Sequence, residues 1–404
     1  MTRNWLCAAL LSLLALSPGA AGAQALVLRG GSVYVSPEAD PISDAVIVTS
    51  AGVIASVGRA SEIQIPPDAR VIDCAGKTIV AGFWNSHVHF TEAPWRGAAT
   101  APAAPLIAHM QAMLTRWGFT TVWDLGSNPA DLLPLRQRIK AGEVLGPNIF
   151  FAGAIFPKDG HPVYLPSEMQ LPEAATPERA AQLARTYTQM GLDGVKLFTG
   201  SYKGEDKPVV NMDAGIAKAA VDVAHATGKP VFAHPQNAAG IDAVIAAGVD
   251  IMAHTVTGQP GYTAEQLAHF KRQNIALIPT LSVFAKLPVP PAISARIIGN
   301  VVVQLKGFAD NGGTVLFGTD VGFTQLYDTT LEYELMRRAL GERQVLAALT
   351  TNPSTYFKAA KKGRVEQGFD ADLVILDGDP VADVRNLAKV AATIRAGQLI
   401  YQKP

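Results

Sequence analysis

Residues 79–89 read Ile-Val-Ala-Gly-Phe-Trp-Asn-Ser-His-Val-His. The β-branched and aromatic opening predicts a buried strand over Ile79–Trp84. That strand leads into His87-Val88-His89. The side-chain period of a strand is two, so both imidazoles point to the same side. A pair placed like this either chelates one cation or packs as ordinary core, and taken alone it does not decide between the two.

Working outward, strand and helix patterns alternate. Further strands are expected at Thr120–Asp124, Asn148–Ala152, Gly194–Phe198, Pro230–Ala233, Asp250–Ala253, Ile275–Pro279 and Thr314–Gly318. The helical stretches are Pro105–Trp117, Asp131–Ala141, Pro177–Met190, Asp213–Thr227, Ala238–Ala247, Ala264–Gln273, Ala292–Asp310 and Thr330–Leu340. This α/β alternation predicts a (β/α)8 TIM-like barrel over 79–359. A doubly wound parallel sheet uses the same alternation and is the alternative. Both chain ends show short β-rich runs separated by Gly30-Gly31, Gly52, Pro66-Pro67 and Gly378-Asp379-Pro380. Neither end carries enough apolar surface to fold alone. Residues 24–78 and 360–404 are therefore expected to form one small composite β-domain, a β-sandwich.

Composition narrows the function. Apolar residues make up 49% and charged residues 17%, which permits a large core and excludes a disordered chain. Lys+Arg and Asp+Glu are both 34, so the surplus positive charge expected of a nucleic-acid partner is absent. The two cysteines, Cys7 and Cys74, exclude a disulfide scaffold and a thiolate zinc site. Residues 1–23 have the layout of a signal peptide: Arg3, the apolar run Trp5–Leu16, then Ala21-Gly22-Ala23. That run is too short for a membrane span, which needs about 20 residues. The expectation is a bacterial periplasmic or secreted protein with no stable membrane association after cleavage. A homo-oligomer is compatible with the sequence.

Barrel enzymes place their chemistry at the C-terminal ends of the strands. Those ends carry His87 and His89, Lys196, His234, His254 and Asp320. A lysine inside Gly194-Val195-Lys196-Leu197-Phe198 is costly to bury unless it is neutral, paired or functional. A Lys196–Asp320 salt bridge is the structural alternative. Imidazole and carboxylate without thiolate suit zinc first, and manganese, iron or cobalt as well. Four histidines and an aspartate exceed the three protein ligands of an open single-zinc site. A lysine can ligate as a CO2-derived carbamate. The full set then accommodates two divalent metal ions about 3.5–4 Å apart, with a bridging hydroxide.

Several stretches together carry a resemblance: Ala81–His89, Gly194-Val195-Lys196, Ala233-His234, Ala253-His254, Gly318-Thr319-Asp320, Phe119–Asp124 and Gly368–Val374. The chain resembles the amidohydrolase superfamily, in its imidazolonepropionase-like and prolidase-like branch, over nearly all of its length beyond residue 23. The resemblance implies that His87, His89 and Asp320 hold one metal and His234 and His254 a second, with carboxylated Lys196 as the bridge. It implies hydrolysis of an amide-type bond in a dipeptide or N-acyl amino acid, with Asp320 acting as general base and then acid. Cyclic amide or lactone hydrolysis, and a non-catalytic metal- or ligand-binding barrel, are the alternatives.

Relatives carry a Gly-His that reaches the substrate, which points to His161. Tyr202, after the fourth strand, is the other candidate substrate contact. Loop packing is the alternative for both. His109, His225 and His269 read as surface or structural residues. Two departures stand out. Asn85 replaces an aspartate common in the family, and His234-Pro235-Gln236-Asn237 lacks the glutamate typical of deaminases.

Overall fold

The computed structural model describes residues 24–165 and 171–404, so the expected signal segment 1–23 lies outside the described residues. The chain opens with β1 (Leu26–Val33), β2 (Ile42–Ser50), β3 (Val53–Arg59), β4 (Arg70–Asp73) and β5 (Thr78–Ala81). Next come β6 (Phe83–Val88), α1 (Ala103–Met113), β7 (Phe119–Asp124), α2 (Pro129–Lys140), β8 (Asn148–Pro157), β9 (Glu173–Ala174) and α3 (Pro177–Gln189). They are followed by β10 (Gly194–Leu197), the two-residue strands β11 (Gly200–Ser201) and β12 (Val210–Asn211), α4 (Ala214–Ala226), β13 (Val231–Ala233) and α5 (Ala238–Ala247). Then come β14 (Ile251–Ala253), α6 (Ala264–Gln273), β15 (Ala276–Ile278), α7 (Leu281–Ala285) and α8 (Pro291–Asp310). The chain ends with α9 (Thr330–Arg337), α10 (Glu342–Leu349), α11 (Thr351–Tyr356), β16 (Leu373–Leu376), β17 (Val390–Arg395) and β18 (Gln398–Gln402).

The two chain ends build one sheet in the order β18-β17-β16-β5-β1-β2-β3, with β4 beside β1. Its hydrogen bonding is continuous where a sandwich of two sheets is expected, because β5 pairs with β1 on one side and β16 on the other. Leu28, Ile47, Ile79, Leu373 and Ile394 share one buried cluster with Cys74. Burial pushes the Cys74 thiol up to about 11, so it behaves as a small apolar side chain. The expected strand Ile79–Trp84 is split at Gly82: its first part joins this sheet, and β6 starts the barrel. A Cβ at Gly82 would lie 2.2 Å from Thr120 Oγ1, so the crossing point needs glycine.

The second sheet runs in parallel in the order β15-β14-β13-β10-β8-β7-β6. Residues 314–321 close it. Leu316 N–H donates to Leu277 O at 2.9 Å on one side, and on the other Ser86 N–H donates to Phe317 O at 2.7 Å and Asp320 N–H to His87 O at 2.8 Å. This closure makes the fold a (β/α)8 barrel with an attached sheet and removes the doubly wound alternative. The last stave approaches the first so closely that it needs glycine at two points. A Cβ at Gly318 would sit 2.9 Å from His87 Cβ, and one at Gly322 (φ +96°) would sit 1.7 Å from His89 O.

Inside the barrel Trp84, Trp123, Phe232 and Leu316 pack together, with Phe150 and Phe357 against them. The Trp123 ring lies 5.0 Å from both Phe150 and Phe357 and 4.9 Å from Phe232. This plug fills one end of the barrel and leaves the other for polar groups. Outside it, Asn237, Thr263 and Asp213 cap their helices with side-chain oxygens. Among the described residues no helix is long and apolar enough to cross a membrane.

The glycine at 322 is open to a direct test. Gly142→Ala, at φ +77° with open space around it, should cost only the ~1–2 kcal/mol of a left-handed residue. Gly322→Ala should lower the denaturant midpoint distinctly more, because backbone must move to admit the methyl group.

Candidate metal centre

His87 lies at the end of β6, Lys196 sits within β10, His234 and His254 follow β13 and β14, and Asp320 lies near the end of the closing stave. All five, with His89, line one cavity at the same barrel mouth. Asp320 Oδ1 lies 3.2 Å from His87 Nε2 and 2.9 Å from His89 Nε2, and these two nitrogens are 3.2 Å apart. His254 Nε2 is 3.8 Å from the other carboxylate oxygen. The His254 ring lies 4.7 Å from both the His87 and the His234 rings.

Strict alternation does not explain His254. Ala253 already faces the barrel interior, so the next side chain should face the helices. A φ of +134° at His254 turns it back into the mouth, where its Nδ1 meets Thr280 Oγ1 at 2.6 Å. Asp320 (φ +57°) and Thr280 (φ +45°) also occupy the left-handed region, which non-glycine residues adopt only where their surroundings hold them.

Asn85 braces the first stave to the last. Its Nδ2 donates to Thr319 Oγ1 at 2.7 Å, and its Oδ1 accepts N–H from His87 and Thr319, each at 3.2 Å. An aspartate here could not donate to Thr319, so the amide is suited to this bracing. Asp124, fully buried at the end of β7, holds the following turn by accepting N–H from Phe90, Gly126 and Ser127. Burial raises its carboxyl above the usual range.

The electrostatics favour neutral bases. Burial pulls Lys196 down to about 7, against the opposing pull of Asp320. Burial, helped by the Lys196 charge, lowers His234 to about 3. His87 and His254 fall well below their ordinary value, chiefly through burial. At neutral pH these imidazoles present lone pairs rather than charge. One carboxylate with uncharged imidazoles around it is a donor set that fits a divalent cation. His87 Nδ1 is also buried without a hydrogen-bond partner. Ligand atoms of His87, His254 and Asp320 all lie within 4.8 Å of one another, which makes these three a candidate metal site.

Residues 78–400 match the family model described as Amidohydrolase family. The chain belongs to the amidohydrolase family. That makes it a hydrolase acting on carbon–nitrogen bonds, in a family that binds metal ions. This amidohydrolase is 23% identical to the ochratoxinase of Aspergillus niger over 402 residues, covering 87% of this chain and 81% of that one. It is 24% identical to the imidazolonepropionase of Thermoplasma acidophilum over 181 residues, covering 40% of this chain and 43% of that protein. In fold it is similar to a Xaa-Pro dipeptidase crystallised with methionine bound in its active site. The TM-score is 0.79 at 22% identity, covering 94% of this chain and all of that one (100%).

The remaining expected site residues lie farther out. Tyr202 lines the cavity. His161 sits on the loop after β8, its Nε2 3.3 Å from Leu165 O, while its backbone carbonyl accepts from Lys203 Nζ at 2.7 Å. Among the described residues Tyr164 and Leu165 of that loop line the cavity, and His161 does not. The His109 ring is paired with Glu92, which also accepts from Tyr327, away from the cluster. Thr280 is not evident from sequence, since a threonine closing Ile278-Pro279-Thr280 carries no motif.

The histidine shifts set a pH dependence for the metal-free protein. His234 takes a proton near 6.5 when unfolded but only near 3 when folded. Between those values the unfolded state binds more protons, so stability rises with pH. The stability is present above about 6.5 and lost as pH falls. With chelator present, the Tm should drop from pH 6.5 to pH 4, and His234→Asn should flatten that slope.

Proposed function

We propose that this amidohydrolase cleaves the amide bond of an N-acyl amino acid or dipeptide that carries a bulky apolar group. The observation that carries the reading is the cluster's position at the floor of a cavity of about 610 Å³. The walls above the cluster include Phe198, Val256, Phe284, Leu287 and Phe323. Phe323 and Tyr164, about a third exposed, meet edge to face at 5.1 Å. A space of that size admits a drug-sized molecule and its lining favours an apolar one. The relative named ochratoxinase and the neighbour named Xaa-Pro dipeptidase are compatible with this class.

In this reading His87, His89 and Asp320 would hold one divalent cation, and His234 and His254 the other. Lys196, as a carbamate, would add a second carboxylate to the ligand set. Its neutral amine forms an N–C bond with CO2 and releases a proton, turning a group that cannot ligate as ammonium into a carboxylate. Two cations held there, zinc being the first choice, would polarise the scissile carbonyl and lower the pKa of a water towards ~7. Asp320 would take a proton from the attacking water and return it to the leaving nitrogen. Tyr202 lies where it can contact the substrate, and His161 could reach it from the loop that supplies Tyr164. The catalytic unit is the barrel, which starts at β6 rather than at residue 79, and the signal layout of residues 1–23 would carry the reaction to the periplasm or outside the cell.

Elemental analysis of protein purified with bicarbonate and zinc should approach two metals per chain. A value that stays at one would sink the two-metal reading. A panel of N-acyl amino acids, dipeptides and cyclic amides should give its highest kcat/KM on amides with aromatic or long aliphatic acyl groups. A preference for cyclic amides would move the assignment to the alternative class. Asp320→Asn should cost about 10²–10⁴-fold on an amide, and less on a nitrophenyl ester whose leaving group needs no proton, at matched metal occupancy. Equal losses would leave Asp320 as a ligand only.

A further inference from the structure

The strained turn that holds His254 has an anchor outside the cavity. His254 and Thr280 both take positive φ and are joined by the 2.6 Å contact between Nδ1 and Oγ1. Thr280 is β-branched, so its left-handed conformation is especially unfavourable without support. The next two residues are held firmly. Leu281 N–H donates to Glu332 Oε1 at 2.9 Å, and Ser282 N–H donates to Glu332 Oε2 at 2.6 Å. Glu332 arrives from α9 and is 0% exposed. Burial pushes its carboxyl up to about 7, and the two amide donors oppose that push. A carboxylate is expensive to bury, and α7 is a single short turn that offers little in return as a helix.

We propose that Glu332 is a positioning residue of the metal centre. By gripping the amides of Leu281 and Ser282 it fixes Thr280 in its left-handed turn. Thr280 Oγ1 then accepts the Nδ1 proton of His254, which leaves the Nε2 lone pair facing Asp320. A histidine ligand is commonly oriented by a partner on its other nitrogen. Here that partner would itself be held by a buried acid one helix away. The inference rests on the reading of His254 as a metal ligand. A carboxylate that merely caps α7 would affect stability alone.

The test compares the full-length chain with H254N, T280V, E332Q and the double variant T280V/E332Q. Zinc affinity is measured by competition with a chromophoric chelator. The tautomer of His254 is read in the metal-free protein from ¹⁵N imidazole shifts. H254N should lose one of the bound zinc ions. T280V and E332Q should each weaken zinc binding by about 10–100-fold, with the double variant no weaker than the worse single one. In the metal-free variants His254 should pass from the Nδ1–H form to a mixture. A folded E332Q with wild-type zinc affinity and an unchanged tautomer would overturn the role of Glu332, as would losses that add in the double variant. Retention of all zinc by H254N would instead remove the ligand assignment on which the inference rests. Should E332Q not fold, E332D carries the same comparison, because it keeps the charge and shortens only the reach.

Discussion

Everything at the barrel mouth depends on how closely the last stave approaches the first. Gly318 and Gly322 allow residues 314–322 to run against His87 and His89 with no side chain between the backbones. That approach puts the Asp320 carboxylate between two imidazoles. It also carries the Asn85–Thr319 brace that keeps the two staves in register. Bulkier residues at the two glycines would push β6 away from the carboxylate.

The aromatic plug below the mouth sets the electrostatics. Trp84, Trp123 and Phe232 fill the barrel under the cluster, so Lys196, His87 and His254 above it have little access to water. Low local polarity disfavours every added positive charge. The result is a set of neutral bases around one carboxylate, a composition a divalent cation completes better than protons would. The cavity wall above is apolar as well, so a substrate that fills it would displace bulk water from the reacting bond.

Much of this was legible in the sequence, and the reasons differ by element. Helices α5 and α6 lie where the pattern puts them because helical periodicity is a local signal. The strand-end positions of His87, Lys196, His234 and Asp320 follow from strand boundaries. Helix α7 is hidden, since five residues hold no period, and its amides are satisfied by an acid about fifty residues on. The orientation of His254 is hidden as well, because it depends on a backbone angle that alternation argues against. Glu332 reads as an ordinary charged helix position until its neighbours Tyr333, Leu335 and Met336 are seen to be buried with it.

The sheet built from both chain ends has a consequence for how the molecule is made. Strand β5 has two partners, and one of them, β16, is separated from it by the entire barrel. No ribosome-bound fragment lacking the C-terminal strands can complete that sheet. Until they emerge, β5 presents an open edge, the kind of surface that recruits foreign strands. Final assembly is therefore a late, long-range step of high contact order, and the growing chain has to be shielded from aggregation while it waits.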